Sequence, residues 1–366
     1  MAAAAAEGDG GQPAAAAAAE GGDAAAAAAA GQPAPAPVLR PLPKIPRVHD
    51  GLPTWADLPQ DFRDKNKDKT KRVKAFARLY CFYGIGDSAG QWMRDFVNNG
   101  ALWCEMAVYE YKGHGTREDE PFDQSYEERV EDAWEAMRPA LEQQAKGGPA
   151  EGCPWAIYAH SAGCVMACSI AAKARAEFDL EPTCVFLVDQ APPNVPFLTD
   201  EGYDLMCKDG KPLESSVDWM TVWCPDKARM RGKGKLADQI YDRWSYGMRI
   251  LEDFYRTAEE AYHMFHCPLY VFCGLVADMS PQETRKVKAQ REAKRPKAKR
   301  TGLPAVGDIS AVVLEDYHKW RNWTTSSCEF TNVRSPHHEI WYHLDTDTKL
   351  WQTFLALSGV TADLLK

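Results

Sequence analysis

The sequence predicts an α/β fold, in which a mainly parallel sheet is covered by helices on both faces. Three observations lead to this prediction: short apolar runs alternate with helical segments, one run passes through a tight turn into a small-residue helix, and 45% of the residues are hydrophobic. Strands that alternate with helices pair in parallel, because each helix carries the chain back across the sheet. The 366 residues suffice for one large domain with appendages.

The predicted elements follow in order along the chain. The apolar runs predict strands at residues 76–82, 106–111, 155–159, 182–188, 268–273 and 328–333. The segments between them predict helices at 88–98, 125–144, 164–174 and 346–357. Ser88 can cap the first helix, and Gly359 is expected to stop the last.

The two ends of the chain differ in composition. Residues 1–48 begin as alanine, glycine and proline with a few acids, and we expect this tail to be disordered. Its first basic residue is Arg40, so it lacks the basic start of a signal peptide. Residues 49–366 are expected to form the folded domain.

Two insertions interrupt the alternation. Residues 196–262 are helical and rich in aromatic residues, which favours a lid over an apolar cleft; a plain helical subdomain is the alternative. Residues 282–302 are strongly basic and are expected to form a solvated loop. A docking patch for an acidic partner, or a nuclear signal, is the functional alternative for this second insertion.

Composition excludes several classes of protein. A net charge of −9 argues against a general nucleic-acid binder. The 11 cysteines form no CxxC pair, and Cys81, Cys184 and Cys273 lie in apolar runs, which indicates small core residues in a reducing, cytoplasmic compartment. No apolar stretch approaches the roughly 18 residues that a membrane span requires.

The most informative motif is Ala159-His-Ser-Ala-Gly163. It lies between an apolar strand and a helix, and places Ser161 at the apex of the turn. In the G-x-S-x-G nucleophile elbow, small flanking residues let a strained turn expose the serine hydroxyl at the edge of the sheet. The alternative is an ordinary helix cap. A catalytic serine would need a base and a group that orients the base.

Candidates for both partners follow later strands. Two neighbouring histidines, His337 and His338, follow the last strand, and either is a candidate base. Asp189 and Asp278 each follow an apolar strand, and either can hold the imidazole in its working tautomer. The glycine-rich turn after the first strand predicts an oxyanion hole in which the backbone amides of Ile85 and Ala162 donate.

Three motifs together resemble the type II thioesterases that serve polyketide and non-ribosomal peptide synthases, within the α/β-hydrolase superfamily. Segment 79–89 (LYCFYGIGDSA) is similar to the family's L-F-C-F-P-x-A-G-G-S-A, with Tyr83 at the proline position. Segment 109–121 (YEYKGHGTREDEP) is similar to Q-Y-P-G-R-G-x-R-x-x-E-P, with Lys112 at its proline. The elbow is similar to G-H-S-M-G. The resemblance covers roughly residues 76–366 and implies an α/β-hydrolase fold with a helical lid.

The resemblance also implies a site and an activity. The family's G-G-H-F-F-L falls on residues 336–341, which places the base on His338. Type II enzymes carry the acid in a turn similar to Gly274–Asp278, whereas synthase-terminal thioesterases carry it in a phrase similar to residues 186–192; undistorted spacing favours Asp189 over Asp278. The implied reaction is hydrolysis of acyl thioesters on an acyl carrier protein or coenzyme A, without a metal or organic cofactor. A carboxylesterase or lipase, and a non-catalytic binding protein of the same fold, remain the alternatives.

Overall fold

A computed structural model of the chain describes residues 41–44, 51–54, 75–96, 103–196, 198, 200, 203, 235–257, 265–274, 314–333, 335, 337, 340–361 and 363–364. The predicted tail therefore lies almost entirely outside the described residues. The basic insertion 282–302 lies wholly outside them. Of the predicted lid, the structure describes mainly a helix at 235–257. By its internal contacts, Pro37–Lys366 forms one unit.

Within the described residues, six strands form a single parallel sheet, which confirms the predicted fold class. They are β1 (Ala77–Phe82), β2 (Cys104–Val108), β3 (Trp155–His160), β4 (Cys184–Val188), β5 (Leu269–Gly274) and β6 (Cys328–Val333). Their spatial order is β2-β1-β3-β4-β5-β6, and every adjacent pair is parallel. The four central strands are completely buried, as their continuous apolar sequences predict.

Along the chain, a helix lies between each strand and the next, and one more follows the last strand. The helices are α1 (Ala89–Phe96), α2 (Tyr126–Gln144), α3 (Gly163–Phe178), α4 (Lys235–Thr257), the short α5 (Leu314–Tyr317) and α6 (Leu344–Ser358). Ser125 caps α2 by accepting a hydrogen bond from the Glu128 amide. Gly359 ends α6 in the left-handed conformation, at φ 68°, as predicted.

Two buried tyrosines show that helices cover both faces of the sheet. Tyr80 of β1 donates a hydrogen bond to Gln144 of α2, at 3.1 Å. Tyr158 of β3 is in register with Cys81, the neighbour of Tyr80, so its side chain lies on the opposite face. It donates to the main-chain oxygen of Trp341, just before α6. The site-bearing ends of the strands are therefore held between two helical layers.

The second strand ends three residues earlier than predicted. It stops at Val108, although the apolar pattern continues to Tyr111. The Glu110 amide donates to the Gly51 carbonyl instead of to a strand, at 2.9 Å. The side chains of Glu110 and Tyr111 both hydrogen-bond to Tyr83, in the loop that follows β1. Tertiary contacts therefore override the local strand preference here.

Two composition-based expectations concern the described residues. Among the described helices, none is long and apolar enough to cross a membrane. Cys81, Cys184 and Cys273 are all buried in the core, as their apolar surroundings predicted.

Candidate active site

Ser161 stands on a strained turn between β3 and α3. Its φ of 53° lies in the left-handed region, which non-glycine residues adopt only where surrounding structure enforces it. The Ser161 amide donates to the Val188 carbonyl of β4 at 2.9 Å. A Cβ on Gly163 would lie 2.2 Å from the Phe82 carbonyl oxygen, so glycine is needed where α3 approaches β1. Sequence and structure thus agree on the elbow.

The imidazole that contacts Ser161 belongs to His337. Its Nε2 lies 3.0 Å from the Ser161 Oγ, and its Nδ1 lies 2.8 Å from the Asp189 Oδ2. Of the two candidate histidines, His337 makes these contacts. His338, the preferred candidate, lies outside the described residues, so the choice of base stays a prediction. A loop imposes no periodicity that fixes an alignment, so the motif comparison alone does not separate the two neighbours.

Asp189 follows β4 directly and is positioned from several sides. Its φ is 52°, another left-handed residue at the strand ends. The Gly274 amide donates to its Oδ1 at 2.7 Å, and a Cβ on Gly274 would lie 3.0 Å from its Oδ2. Tyr317 lies beside the same carboxylate: burial and, secondarily, Asp189 raise the Tyr317 pKa well above its usual value. The other candidate acid, Asp278, lies outside the described residues.

The β1–α1 loop (residues 83–88) runs past the serine. A Cβ on Gly84 would lie 3.0 Å from the Ser161 Cβ, so any other residue here would push the loop and the serine apart by a few tenths of an ångström. Ala162, the second predicted donor, lies immediately before α3, at the positive end of that helix dipole. Ile85 packs against helix α4, where a Cβ on Gly247 would lie 2.3 Å from the Ile85 Cγ2. Both predicted donors thus lie on segments adjacent to Ser161.

Helix α4, within the predicted lid, is fastened to the segment after β2. Arg243 donates through Nε to the Gly113 carbonyl at 2.9 Å, and Tyr246 stacks on Phe122 with centroids 4.6 Å apart. The Cβ of Trp244 lies near Gly86 of the β1–α1 loop. Of the aromatic residues that indicated a lid, Trp244 therefore lies beside the loop that carries Ile85; that this segment closes over a substrate stays a prediction.

His160 is a site residue that the sequence analysis quoted but did not assign. Its Nε2 lies 2.8 Å from the His337 carbonyl oxygen, and the two imidazole rings lie 4.7 Å apart between centroids. This contact connects the end of β3 to the loop after β6 and orients the His337 backbone. The available signal was position: a buried polar residue next to the nucleophile candidate needs a hydrogen-bond partner.

The arrangement is suited to moving a proton away from the serine. An Nδ1–H donated to the Asp189 carboxylate leaves the Nε2 lone pair of His337 free to accept the Ser161 hydroxyl proton. Ser161 and Asp189 are buried, whereas the His337 side chain is 23% exposed. His337 is therefore the most exposed of the three side chains.

Solved structures share this fold. The chain is similar to ClbQ of the colibactin NRPS/PKS pathway, with 16% identity, a TM-score of 0.54, and coverage of 77% of this chain and 98% of ClbQ. It is similar to the RedJ thioesterase of prodiginine biosynthesis in Streptomyces coelicolor, with 16% identity, a TM-score of 0.53, and coverage of 76% of this chain and 85% of RedJ. It is also similar to BorB, a type II thioesterase of the borrelidin cluster, with 14% identity, a TM-score of 0.51, and coverage of 78% of this chain and 92% of BorB.

These similarities concern the fold. No model of a known protein family matches the chain, and no curated protein matches it. At such low identity, the solved structures show that the chain has the α/β-hydrolase fold of these thioesterases. The resemblance indicated by the three sequence motifs is therefore confirmed at the level of architecture.

Proposed function

We propose that the protein is a serine hydrolase that cleaves acyl thioesters carried on phosphopantetheine, as part of an acyl carrier protein or of coenzyme A. The observation that carries this proposal is the linear arrangement of Ser161, His337 and Asp189, with separations of 3.0 and 2.8 Å. The thioester preference rests on the three motifs and on RedJ and BorB, the two thioesterases named above among the solved structures of the same fold.

In the first half-reaction, the Ser161 Oγ attacks the thioester carbonyl carbon while its proton passes to the His337 Nε2. The carbonyl oxygen takes the negative charge, and the amides of Ala162 and Ile85 donate hydrogen bonds to it. As the intermediate collapses, the carbon–sulfur bond breaks and the sulfur takes the proton from His337. The products of this step are a free thiol and an acyl group esterified to Ser161.

The second half-reaction releases the acid. A water molecule gives a proton to His337 and attacks the acyl carbon, and the oxygen anion again lies against the two amides. Collapse breaks the bond to the Ser161 Oγ, which regains its proton from His337. Asp189 stabilises the imidazolium in both halves and keeps Nδ1 protonated, without itself taking the proton.

A serine-reactive fluorophosphonate provides the first test. We expect it to label the wild-type protein at Ser161 and to leave Ser161→Ala unlabelled. Ser125→Ala is a matched control, because it removes a serine hydroxyl that caps a helix at a cost of about 1 kcal/mol. It should keep full labelling. A wild-type protein that is folded and unlabelled would contradict catalysis by Ser161 and favour a binding protein.

A matched pair of substrates tests the thioester preference. An acyl-N-acetylcysteamine thioester and the oxygen ester of the same acyl group are compared by kcat/KM, followed by mass spectrometry of an acylated carrier protein. We expect Ser161-dependent release of free acid from the thioester and from the carrier. Turnover confined to the oxygen ester would identify a carboxylesterase or lipase instead.

A further inference from the structure

The β1–α1 loop is held by a buried cluster that lies outside the Ser161–His337–Asp189 line. We propose that Tyr83, Glu110 and Tyr111, here called the loop clamp, are positioning residues that hold the Ile85 amide in place for the developing oxyanion. This inference rests on the proposed function and adds three residues to which neither the motifs nor the comparisons give a role.

Glu110 ties the two ends of the loop together. Its Oε1 accepts a hydrogen bond from the Tyr83 phenol at 2.6 Å and from the Ala89 amide at 3.0 Å. Tyr83 begins the loop and Ala89 begins α1, so one carboxylate oxygen fixes both the entry and the exit. Burial and the neighbouring Glu110 raise the pKa of Tyr83 well above its usual value, so its phenol remains a donor.

Tyr83 and Tyr111 exchange hydrogen bonds between side chain and backbone. The Tyr111 amide donates to the Tyr83 phenol oxygen at 3.1 Å. The Tyr111 phenol donates to the Tyr83 carbonyl at 3.1 Å. The second bond fixes the peptide plane between Tyr83 and Gly84, immediately before the Ile85 amide. The two rings also meet edge to face, with centroids 4.6 Å apart.

The clamp is positioned for the site rather than only for the core. The loop that it holds approaches Ser161 at Gly84 and is flanked on its other side by helix α4, through Gly247 against Ile85. Gly84 and Ile85 are therefore closely packed on both sides, by the serine turn and by α4. Because oxyanion stabilisation depends on donors held a hydrogen-bond length from the developing charge, small displacements of this loop should appear in the chemical step.

Three single-hydroxyl deletions separate positioning from stability. Tyr111→Phe removes the bond to the Tyr83 carbonyl and keeps the Tyr111 amide. Tyr83→Phe removes the phenol that joins Glu110 to Tyr111. Tyr80→Phe is the matched control: it deletes an equally buried phenol, which donates at 3.1 Å to Gln144, from the preceding strand. Tyr111→Phe and Tyr80→Phe should lower the melting temperature by similar, small amounts. Tyr83→Phe should lower it more, because it removes a bond to a carboxylate and leaves the buried Tyr111 amide without its acceptor.

The readouts are kcat and KM on the acyl-N-acetylcysteamine thioester, and the inhibition constant of a trifluoromethyl ketone analogue. Ser161 adds to this ketone and passes its proton to His337, which leaves an oxygen anion where the reaction's oxyanion would form. We expect Tyr83→Phe and Tyr111→Phe to lower kcat about 10- to 100-fold, with KM within about twofold of wild type. The analogue should weaken in proportion, and Tyr80→Phe should change neither quantity.

The outcomes are distinguishable. If the two clamp variants keep kcat and analogue affinity within about twofold of Tyr80→Phe, while Ser161→Ala is inactive, the clamp is structural only and the proposed function stands. If wild type and Ser161→Ala hydrolyse the thioester equally, the proposed function fails and the clamp's role fails with it. If Tyr83→Phe does not fold, Tyr111→Phe, which deletes only the hydrogen bond from the Tyr111 phenol to the Tyr83 carbonyl, decides the question.

Discussion

The neighbouring histidines offer the sharpest test of the site. His337→Ala removes both the 3.0 Å contact to Ser161 and the 2.8 Å contact to Asp189. A positioned general base contributes about 10²- to 10⁴-fold, and this base serves both half-reactions. We therefore expect kcat to fall about 10³- to 10⁴-fold, equivalent to about 4 to 5.5 kcal/mol of activation free energy.

The assay is release of thiol from the acyl-N-acetylcysteamine thioester, read continuously with a thiol reagent. His338→Ala is the matched control, because it makes the same chemical change one residue along the chain. It should keep kcat within about twofold of wild type. Because the His337 side chain is 23% exposed, its removal should change the melting temperature little. Added imidazole should restore part of the lost rate to His337→Ala.

The opposite result would refute the reasoning. If His338→Ala lost activity while His337→Ala kept it, the contact seen at Ser161 would not be the catalytic one. The motif-based assignment of His338 would then be right. If both variants kept full activity, neither of these two histidines would be the base.

Three further predictions follow from single side chains. Asp189→Asn should lower kcat about 10³- to 10⁴-fold by spoiling the His337 tautomer, whereas Asp278→Asn should leave it within about twofold; mass spectrometry of an acylated carrier protein compares them. Gly163→Ala should lower the unfolding free energy by about 1 to 3 kcal/mol and lower kcat, because its Cβ would lie 2.2 Å from the last carbonyl oxygen of β1. The control is Gly90→Ala in α1, where the space around the Cβ is open; it should raise the unfolding free energy by about 0.5 to 1 kcal/mol. Burial raises the pKa of Asp347 from 3.8 to about 6, so its ionised form opposes folding; Asp347→Asn should raise the unfolding free energy by about 1 to 3 kcal/mol near pH 8, and the gain should shrink as the pH falls through 6.

Each of these has a contrary outcome. If Asp278→Asn lost activity and Asp189→Asn kept it, the acid that orients the histidine would be Asp278 and not Asp189. A Gly163→Ala protein as stable as Gly90→Ala would mean that the approach of α3 to β1 relaxes freely. For Asp347, the folded-state pKa lies above the unfolded value, so the protonated group's contribution is present at low pH and lost as the pH rises. A gain from Asp347→Asn that is larger at pH 5 than at pH 8 would contradict the sign.

The sequence by itself determined the architecture and the nucleophile candidate. Continuous apolar runs are long enough to define buried strands, and the sharp turn around Ser161 needs small neighbours whatever surrounds it. Local chemistry also marked Ser125 as a helix start and Gly359 as a helix stop, and both are confirmed. These features depend on a few consecutive residues, so they can be predicted from the sequence without knowledge of the fold.

Tertiary structure decided which partners meet Ser161. His337 and His338 are identical in type and adjacent in a loop, so no periodicity distinguishes them. The contact between His337 and Asp189 is the observation that favours His337. The Glu110 carboxylate was equally invisible as a functional group, because its partners lie 27 and 21 residues away in the chain. Side chains that act across such separations are fixed by how the strand ends converge, and that convergence is a property of the folded sheet.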